Sequence, residues 1–592
     1  MLEDFLNIEV LLTPESYHRI NSMSEKERKN LLEKIKEFKN INDTFILLDD
    51  FFLNIFLNHN LEEIIKTYQK CNFLKYYVGN GVDDGEVEIL EGSIEEVFDS
   101  SSSSTTEIVN NTVSNVIETN NNSITVEYTS TEVIDKTHDT LLKMEEERKK
   151  RISEIRSIRN SINRRINYVA KDIESKIKVY KEWDITGKST CEGTIEDFIK
   201  YFRDRYNRIK GMIERKVKRK AYPLEKLYKM KGKSDVFIVG IVSDISTTKK
   251  GHRKVEIEDE KTSISVILMK DKIARGELPD DILLDEVVGF VGYVSNSGDI
   301  FFANECIRPD ITPRTPKSID EKIYTAFLSD IHVGSKEFLE KTFRRFIELL
   351  NGKISRGIEE KIVSRLKYIS IAGDLIDGVG VYPGQEEDLY EIDVMAQYAE
   401  IATYLEEIPE HVHIIISPGN HDAVRPAEPQ PALPKKVLKL FDSLDNVTFI
   451  GNPSYVNVHG LDFLIYHGRS FDDIVGQVPS ARYTDPPSIM RELLKRRHLC
   501  PTYGGRCPIA PEHMDYLVIH KEPDVFHAGH IHINGYGTYK GTVMVNSGTF
   551  QEQTEFQKKM GIHPTPGRVP ILDMSRMGDV YIEWDNGKIT IG

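Results

Sequence analysis

A chain of 592 residues is too long to organise around one hydrophobic core, so three or four folded units are expected. No apolar run approaches the length of a membrane span, and Met1–Asn7 carries acids where a secretory signal carries bases, which together predict a cytoplasmic protein. With 94 acidic against 78 basic residues the formal net charge is −16, which argues against a nucleic-acid partner unless the acids are segregated.

They are segregated. Residues 1–80 read as a small helical interaction unit, with Thr13-Pro14-Glu15 as a cap followed by proline at the first turn and a charged helix from Glu25 to Phe38. Residues 81–137 hold the polar tracts Ser100–Thr106 and Asn120–Asn122, and no Lys or Arg falls between Lys75 and Lys136. Such a segment buries too little apolar area to offset the ordering of its backbone, so it reads as an acidic disordered linker that carries most of the charge deficit. The folded remainder is left near neutral.

Residues 138–230 read as long basic amphipathic helices. Ile152, Ile155, Ile158, Ile162, Ile166, Val169, Ile173 and Ile177 recur in steps of three and four, which predicts one helix from Thr140 to Trp183, and a second covers Phe198 to Lys220. Residues 231–310 contain five β-rich runs with a helical insert, the pattern of an OB barrel. Phe237, Phe290 and Phe301 sit in apolar runs that read as core, which predicts a structural barrel and not a base-stacking platform. The five cysteines, Cys71, Cys191, Cys306, Cys500 and Cys507, form no C-x-x-C pair and read as reduced thiols.

In residues 318–592, five apolar runs end abruptly in polar residues: Tyr324–Leu328 before Asp330 and His332, Tyr368–Ala372 before Asp374 and Asp377, His413–Ser417 before Asn420, His421 and Asp422, Phe463–Tyr466 before His467, and Asp524–Ala528 before His530 and His532. Each reads as a buried strand, and in an α/β sheet the carboxyl ends of such strands share one edge, so groups far apart in sequence converge. Two Asp, one Asn and four His without a thiolate suit two divalent ions of the Mn²⁺, Fe²⁺ or Zn²⁺ type. Gly373, Gly419 and Gly529 precede three of these residues and allow sharp turns and a close approach of phosphate.

The order D-x-H, G-D-x-x-D, G-N-H-D, lone His and G-H-x-H resembles the calcineurin-like metallophosphoesterases. Residues 419–431, 501–511 and 546–553 narrow the resemblance to small subunits of archaeal family-D DNA polymerases, over roughly residues 230–592. The fold it implies is a multidomain α/β chain: a metallophosphoesterase β-sandwich with flanking helices, preceded by the OB barrel and the small helical domain.

It also implies one metal among Asp330, His332, Asp374 and His532, and another among Asp374, Asn420, His467 and His530. Manganese is foremost, with iron, zinc or magnesium as alternatives. His421 is implied as the nonligand catalytic imidazole with Asp422 fixing its tautomer, and Asp377 and Arg425 as residues steadying the ligands. The activity implied is two-metal 3′–5′ exonuclease proofreading of DNA, in a heterodimer with a large polymerising subunit. The alternatives are a silent scaffold or an independent repair nuclease.

Overall fold

The computed structural model describes residues 166–592 apart from 231, 233, 234, 580 and 592, together with Lys29, Leu31, Ile35 and two short strands nearer the amino terminus. Those strands, Val10–Leu12 and Ile46–Leu48, pair in parallel, a pairing that the helical reading of residues 1–80 did not include. Its proposed cap at Thr13, the linker at 81–137 and the basic residues 148–165 lie outside the described residues.

The long helix predicted to reach Trp183 is corrected over its described part. Residues 169–172 and 181–183 are single 3₁₀ turns, and between them Ile177–Val179 forms strand β1. The 3-and-4 spacing of Val169, Ile173 and Ile177 arises instead from a segment laid over a sheet edge. Ile173, Ile177 and Val179 pack on the core there, while Lys176 donates its backbone N–H to the Tyr368 hydroxyl.

Helix α1 spans Ile195–Val217 and starts at a reciprocal capping box between Thr194 and Asp197. Tyr201, Arg205, Ile209 and Ile213 form its buried stripe. Strands β2 (Val236–Thr247), β3 (Arg253–Glu258), β4 (Ser263–Leu268), β5 (Val287–Val294) and β6 (Ile300–Ile307) close a barrel in the order β2-β3-β4-β6-β5, with a helical insert at Lys270–Ala274. Phe290 and Phe301 fill its interior, and Phe237 faces Ile209 and Ile213 of α1.

The remaining chain forms two mixed sheets. In order come β7 (Tyr324–Leu328), α2 (Glu340–Leu350), β8 (Leu366–Ala372), α3 (Val394–Glu406), β9 (His413–Ser417), β10 (Val447–Phe449), β11 (Ser454–Val458) and β12 (Leu461–Ile465). They are followed by α4 (Phe471–Gln477), α5 (Pro486–Arg496), β13 (Val525–Ala528), β14 (Gly535–Tyr539), β15 (Thr542–Asn546), α6 (Glu555–Met560), β16 (Arg568–Asp573), β17 (Tyr581–Asp585) and β18 (Lys588–Ile591).

One sheet has the order β10-β9-β8-β7-β16-β17-β18 and the other β14-β15-β13-β12-β11-β1. Phe327, Tyr368 and Ile415 of the first meet Phe463, Val525 and Val543 of the second in a shared hydrophobic core. Helices α2 and α3 cover the outer face of the first sheet, and α4 and α5 that of the second. Both faces of the central strands are therefore buried, which is why every position of β7, β8 and β12 is buried and most are apolar. Among the described residues no helix is long and apolar enough to cross a membrane.

Candidate metal centre

Five strand ends supply the seven expected ligands. Asp330 and His332 follow β7, Asp374 follows β8, Asn420 follows β9, His467 follows β12, and His530 and His532 follow β13. Strands β7, β8 and β9 are parallel neighbours in one sheet, and β12 and β13 are parallel neighbours in the other. Stacking the sheets brings both sets of ends to one rim.

Five of the seven sit at positive φ: Asp330 52°, His332 55°, Asp374 54°, His530 70° and His532 57°. A non-glycine residue held there costs about 1–2 kcal/mol, so the fold bears this strain to aim these side chains. Gly373 is also left-handed, at φ 89°, whereas Gly419 and Gly529 serve by being small. A Cβ on Gly419 would stand 2.2 Å from Asp374 Oδ1, and one on Gly529 2.5 Å from Asp330 Oδ2.

Asp374 Oδ2 lies 3.2 Å from His467 Nε2 and 3.8 Å from His332 Nε2, so its carboxylate faces rings from both sheets. His532 Nε2 lies 3.3 Å from Asp330 Oδ1 and 3.1 Å from His332 Nε2. Asn420 Oδ1 is 2.9 Å from His467 Nε2. Donors bonded at about 2.1 Å to one cation, at angles near 90–110°, stand about 3.0–3.5 Å apart, so the His467–Asp374, His532–Asp330 and His532–His332 spacings are those of adjacent ligands, while His332 stands farther from Asp374.

Three tight groups emerge: Asp330, His332 and His532; Asp330, Asp374 and His467; and His332, Asp374 and His421, with ligand atoms within 4.8 Å of one another in each. His467 Nδ1 donates to the Ala372 carbonyl at 2.8 Å, which leaves Nε2 as the donor atom for a cation. An oxygen and imidazole set without thiolate at this spacing fits divalent metal.

The electrostatics agree. Burial alone would raise the Asp374 carboxyl, but the His467 and His421 rings outweigh it and hold the group well below the usual carboxylate range. Burial would lower His467, but Asp374 and Asp330 bring it up to about 10. Without a cation this ring keeps a proton, which a cation must displace.

Two expectations about the neighbours need correction. Asp422 does not fix the tautomer of His421. Its carboxylate accepts backbone N–H groups of Asp374 and Gly419, each at 2.8 Å, and the Tyr398 hydroxyl at 3.0 Å, so it ties the turns after β8 and β9 together. His421 Nδ1 instead meets the Asp377 carbonyl at 2.7 Å. A carbonyl only accepts, so Nδ1 carries the proton and Nε2 is left for chemistry.

Arg425 touches none of the seven. It reaches Glu512 and Ser189, both at 2.7 Å, and the Pro429 carbonyl at 2.9 Å, pinning the loop after β9. His530 stands outside the three tight groups. Its backbone N–H donates to Asp330, and its Nε2 lies 3.6 Å from Asp472 Oδ2, which leaves Nδ1 as its available donor atom.

Asp377 does meet a predicted ligand, its Oδ1 2.8 Å from Nδ1 of His332, a ring that burial holds towards its neutral form, though off the line of an aligned hydrogen bond. Its carboxylate also accepts the Gln385 and Gln551 amides at 2.9 and 3.0 Å. These glutamines, Tyr398, Asp472 and Gln557, whose amide meets His532 Nδ1 at 2.8 Å, carry no motif that would single them out. Only Gln551 falls within one of the stretches that carry the family resemblance, residues 546–553.

The DNA polymerase alpha/epsilon B-subunit family matches residues 371–535, which span the turns from Asp374 to His532. Among solved structures, an archaeal phosphodiesterase aligns with 44% of this chain and 99% of its own, at 15% identity and a TM-score of 0.23. The DNA polymerase II small subunit of Methanocaldococcus jannaschii is 54% identical over 593 residues, covering 100% of this chain and 99% of that protein. That of Pyrococcus furiosus is 36% identical with 97% of each covered, and that of Archaeoglobus fulgidus 44% identical over 67% of this chain and 78% of its own. The chain belongs to the DNA polymerase II small-subunit family.

Proposed function

We propose that this chain is the non-polymerising partner of a large polymerising subunit, and that its metal centre hydrolyses the 3′-terminal phosphodiester of DNA, as a proofreading exonuclease does. The observation that carries the reading is the Asp374 carboxylate facing His467 from one sheet and His332 from the other. Asp330, His332, Asp374 and His532 would hold one divalent ion, and Asp374, Asn420, His467 and His530 a second, with manganese the first candidate. Bound there, two such ions supply the charge that activates water and neutralises phosphate oxygens.

The chain's own groups do the rest. His421, whose pKa is raised against its burial by Asp374 and Asp377, would act as the imidazolium: Nδ1–H stays on the Asp377 carbonyl and Nε2–H passes to the 3′ oxygen as its bond to phosphorus breaks. Asp422 sets the distance between the turns that carry Asp374 and Asn420. The five-stranded barrel is read as an OB fold in a structural role: Arg308 and Arg496 both bind Asp281 and Glu286, locking the barrel to α5. A silent scaffold is disfavoured because every ligand position is filled.

Asp374→Ala is the test. It should abolish Mn²⁺-dependent release of 3′ nucleotides while the chain still co-purifies with its large partner. Retained release by the pure variant would overturn the reading.

A further inference from the structure

One sequence stretch is unused by the chemistry above: Tyr503-Gly-Gly-Arg506, at the tip of the loop from Cys500 to Ile509. All four residues are exposed, yet the loop is tied down on three sides. The Tyr503 backbone N–H donates to Asp285 of the barrel at 2.8 Å, and its ring meets Phe198 and Phe202 of α1 edge-on at 5.2 and 5.7 Å. The backbone N–H groups of Arg506 and Cys507 donate to the Asp473 carboxylate of α4 at 2.8 and 3.2 Å. Gly505 lies so close to Asp473 that a Cβ would come within 2.6 Å of its Oδ1.

The loop brings Arg506 within electrostatic reach of Asp472, whose carboxylate is held below the usual range against its burial by His530, Tyr483 and Arg506. Asp473 adjoins Asp472, whose carboxylate faces His530 Nε2 at 3.6 Å. The loop after His467 reaches the same place: a Cβ on Gly468 would sit 3.3 Å from the His530 Cβ, and Ser470 hydrogen-bonds the Leu499 carbonyl at the root of the Tyr503 loop. Arg469, two residues after His467, places one guanidinium nitrogen on the Pro426 carbonyl at 3.0 Å and acts electrostatically on Glu428. Acids act on both at longer range, Asp472 on Arg506 and Glu428 on Arg469.

Two guanidinium groups, one two residues after His467 and one on the loop that reaches Asp472 and so His530, supply the charge and forked donors that phosphates take. Pinning the backbone beneath an exposed side chain lowers the entropy lost when that side chain grips a ligand. We propose that Arg506 and Arg469 hold the phosphates just upstream of the scissile bond, seating the 3′ end of a single DNA strand over the metal centre. This inference rests on the nuclease reading for its substrate. Both arginines are positioning residues.

The test is equilibrium binding, which needs no hydrolysis. A fluorescent single-stranded oligonucleotide with phosphorothioate 3′-terminal linkages is titrated with the full chain in Mn²⁺ at several salt concentrations. Arg506→Ala and Arg469→Ala should each weaken binding roughly tenfold and reduce the salt slope by about 0.7 for each phosphate released. Arg506→Lys should recover part of the loss. Lys436→Ala, an equal charge loss at an exposed site in no proposed role, should change it less than twofold. On a cleavable strand the arginine variants should raise KM more than they lower kcat, with bound manganese unchanged.

Unchanged affinity in the double variant, or no binding by the wild-type chain, overturns the proposal. A loss of manganese together with binding also overturns it, because the arginines would then be supporting the site itself. Should wild-type protein bind the strand through these arginines but release no nucleotides, the nuclease reading fails and the strand-holding role stands.

Discussion

Asp374 and His421 illustrate how little of a site's chemistry resides in the ligands alone. The turn that carries Asp374 holds a left-handed residue and depends on three N–H and hydroxyl bonds to Asp422, while His421 is oriented by a backbone carbonyl two loops away. His421→Gln should lower turnover by roughly 10²–10⁴-fold, the usual share of a positioned proton donor, with metal content by elemental analysis unchanged. Asp377→Asn acts differently, because Asp377 contacts His332: metal affinity should fall about 10–100-fold and activity should return at higher Mn²⁺. The carboxylates and imidazoles at the strand ends were legible because metal chemistry restricts which residue types serve. The partner of His421 was not, since a backbone carbonyl leaves no mark on sequence, and neighbouring Asp422 offered a plausible but wrong orienter.

At the scale of elements, the strands leading to the site were readable because burial on both faces makes them mostly apolar. The region before α1 was not. Its apolar spacing suits an amphipathic helix, but β1 instead pairs antiparallel with β11 and turns Ile177 and Val179 onto the core. Periodicity records which residues are covered, and a short strand flanked by 3₁₀ turns can cover the same set. What α1 does is decided by a buried ion pair that pattern cannot reveal: Arg205 Nε lies 2.7 Å from Asp515 Oδ2, and the same oxygen meets His498 Nε2 at 2.7 Å. Arg205→Met would leave that carboxylate buried with one cation fewer. The expected cost is about 3–5 kcal/mol, read as a lowered urea midpoint. Asp515→Asn paired with Arg205→Met should recover part of it, and full independence of the two changes would show that the pair does not anchor α1.

Across the whole molecule, the same burial that shapes the site sets a window of pH stability. Burial brings His498 down to about 4, despite Asp515 beside it, and His520 and His527 to about 3. All three are neutral inside the fold, whereas in the unfolded chain each takes up a proton near pH 6.5. Between pH 6.5 and 4 the unfolded state therefore binds more protons, and stability falls as pH falls, by up to about 1.4 kcal/mol per unit for each ring. His467 works in the opposite sense and in another window: held at about 10 by Asp374 and Asp330 against its burial, it contributes stability that is complete below pH 6.5 and is lost as pH rises towards 10. Protein in chelator should thus have its highest urea midpoint near pH 6.5, with an acid limb and an alkaline limb. His527→Gln should flatten the acid limb, because Ser370 and Ser547 bond that ring at 2.8 Å each and an amide can meet both without charging. Manganese should remove the alkaline limb, because the cation would take the place of the proton on His467. An alkaline limb that persists unchanged in saturating manganese would mean that His467 binds no cation.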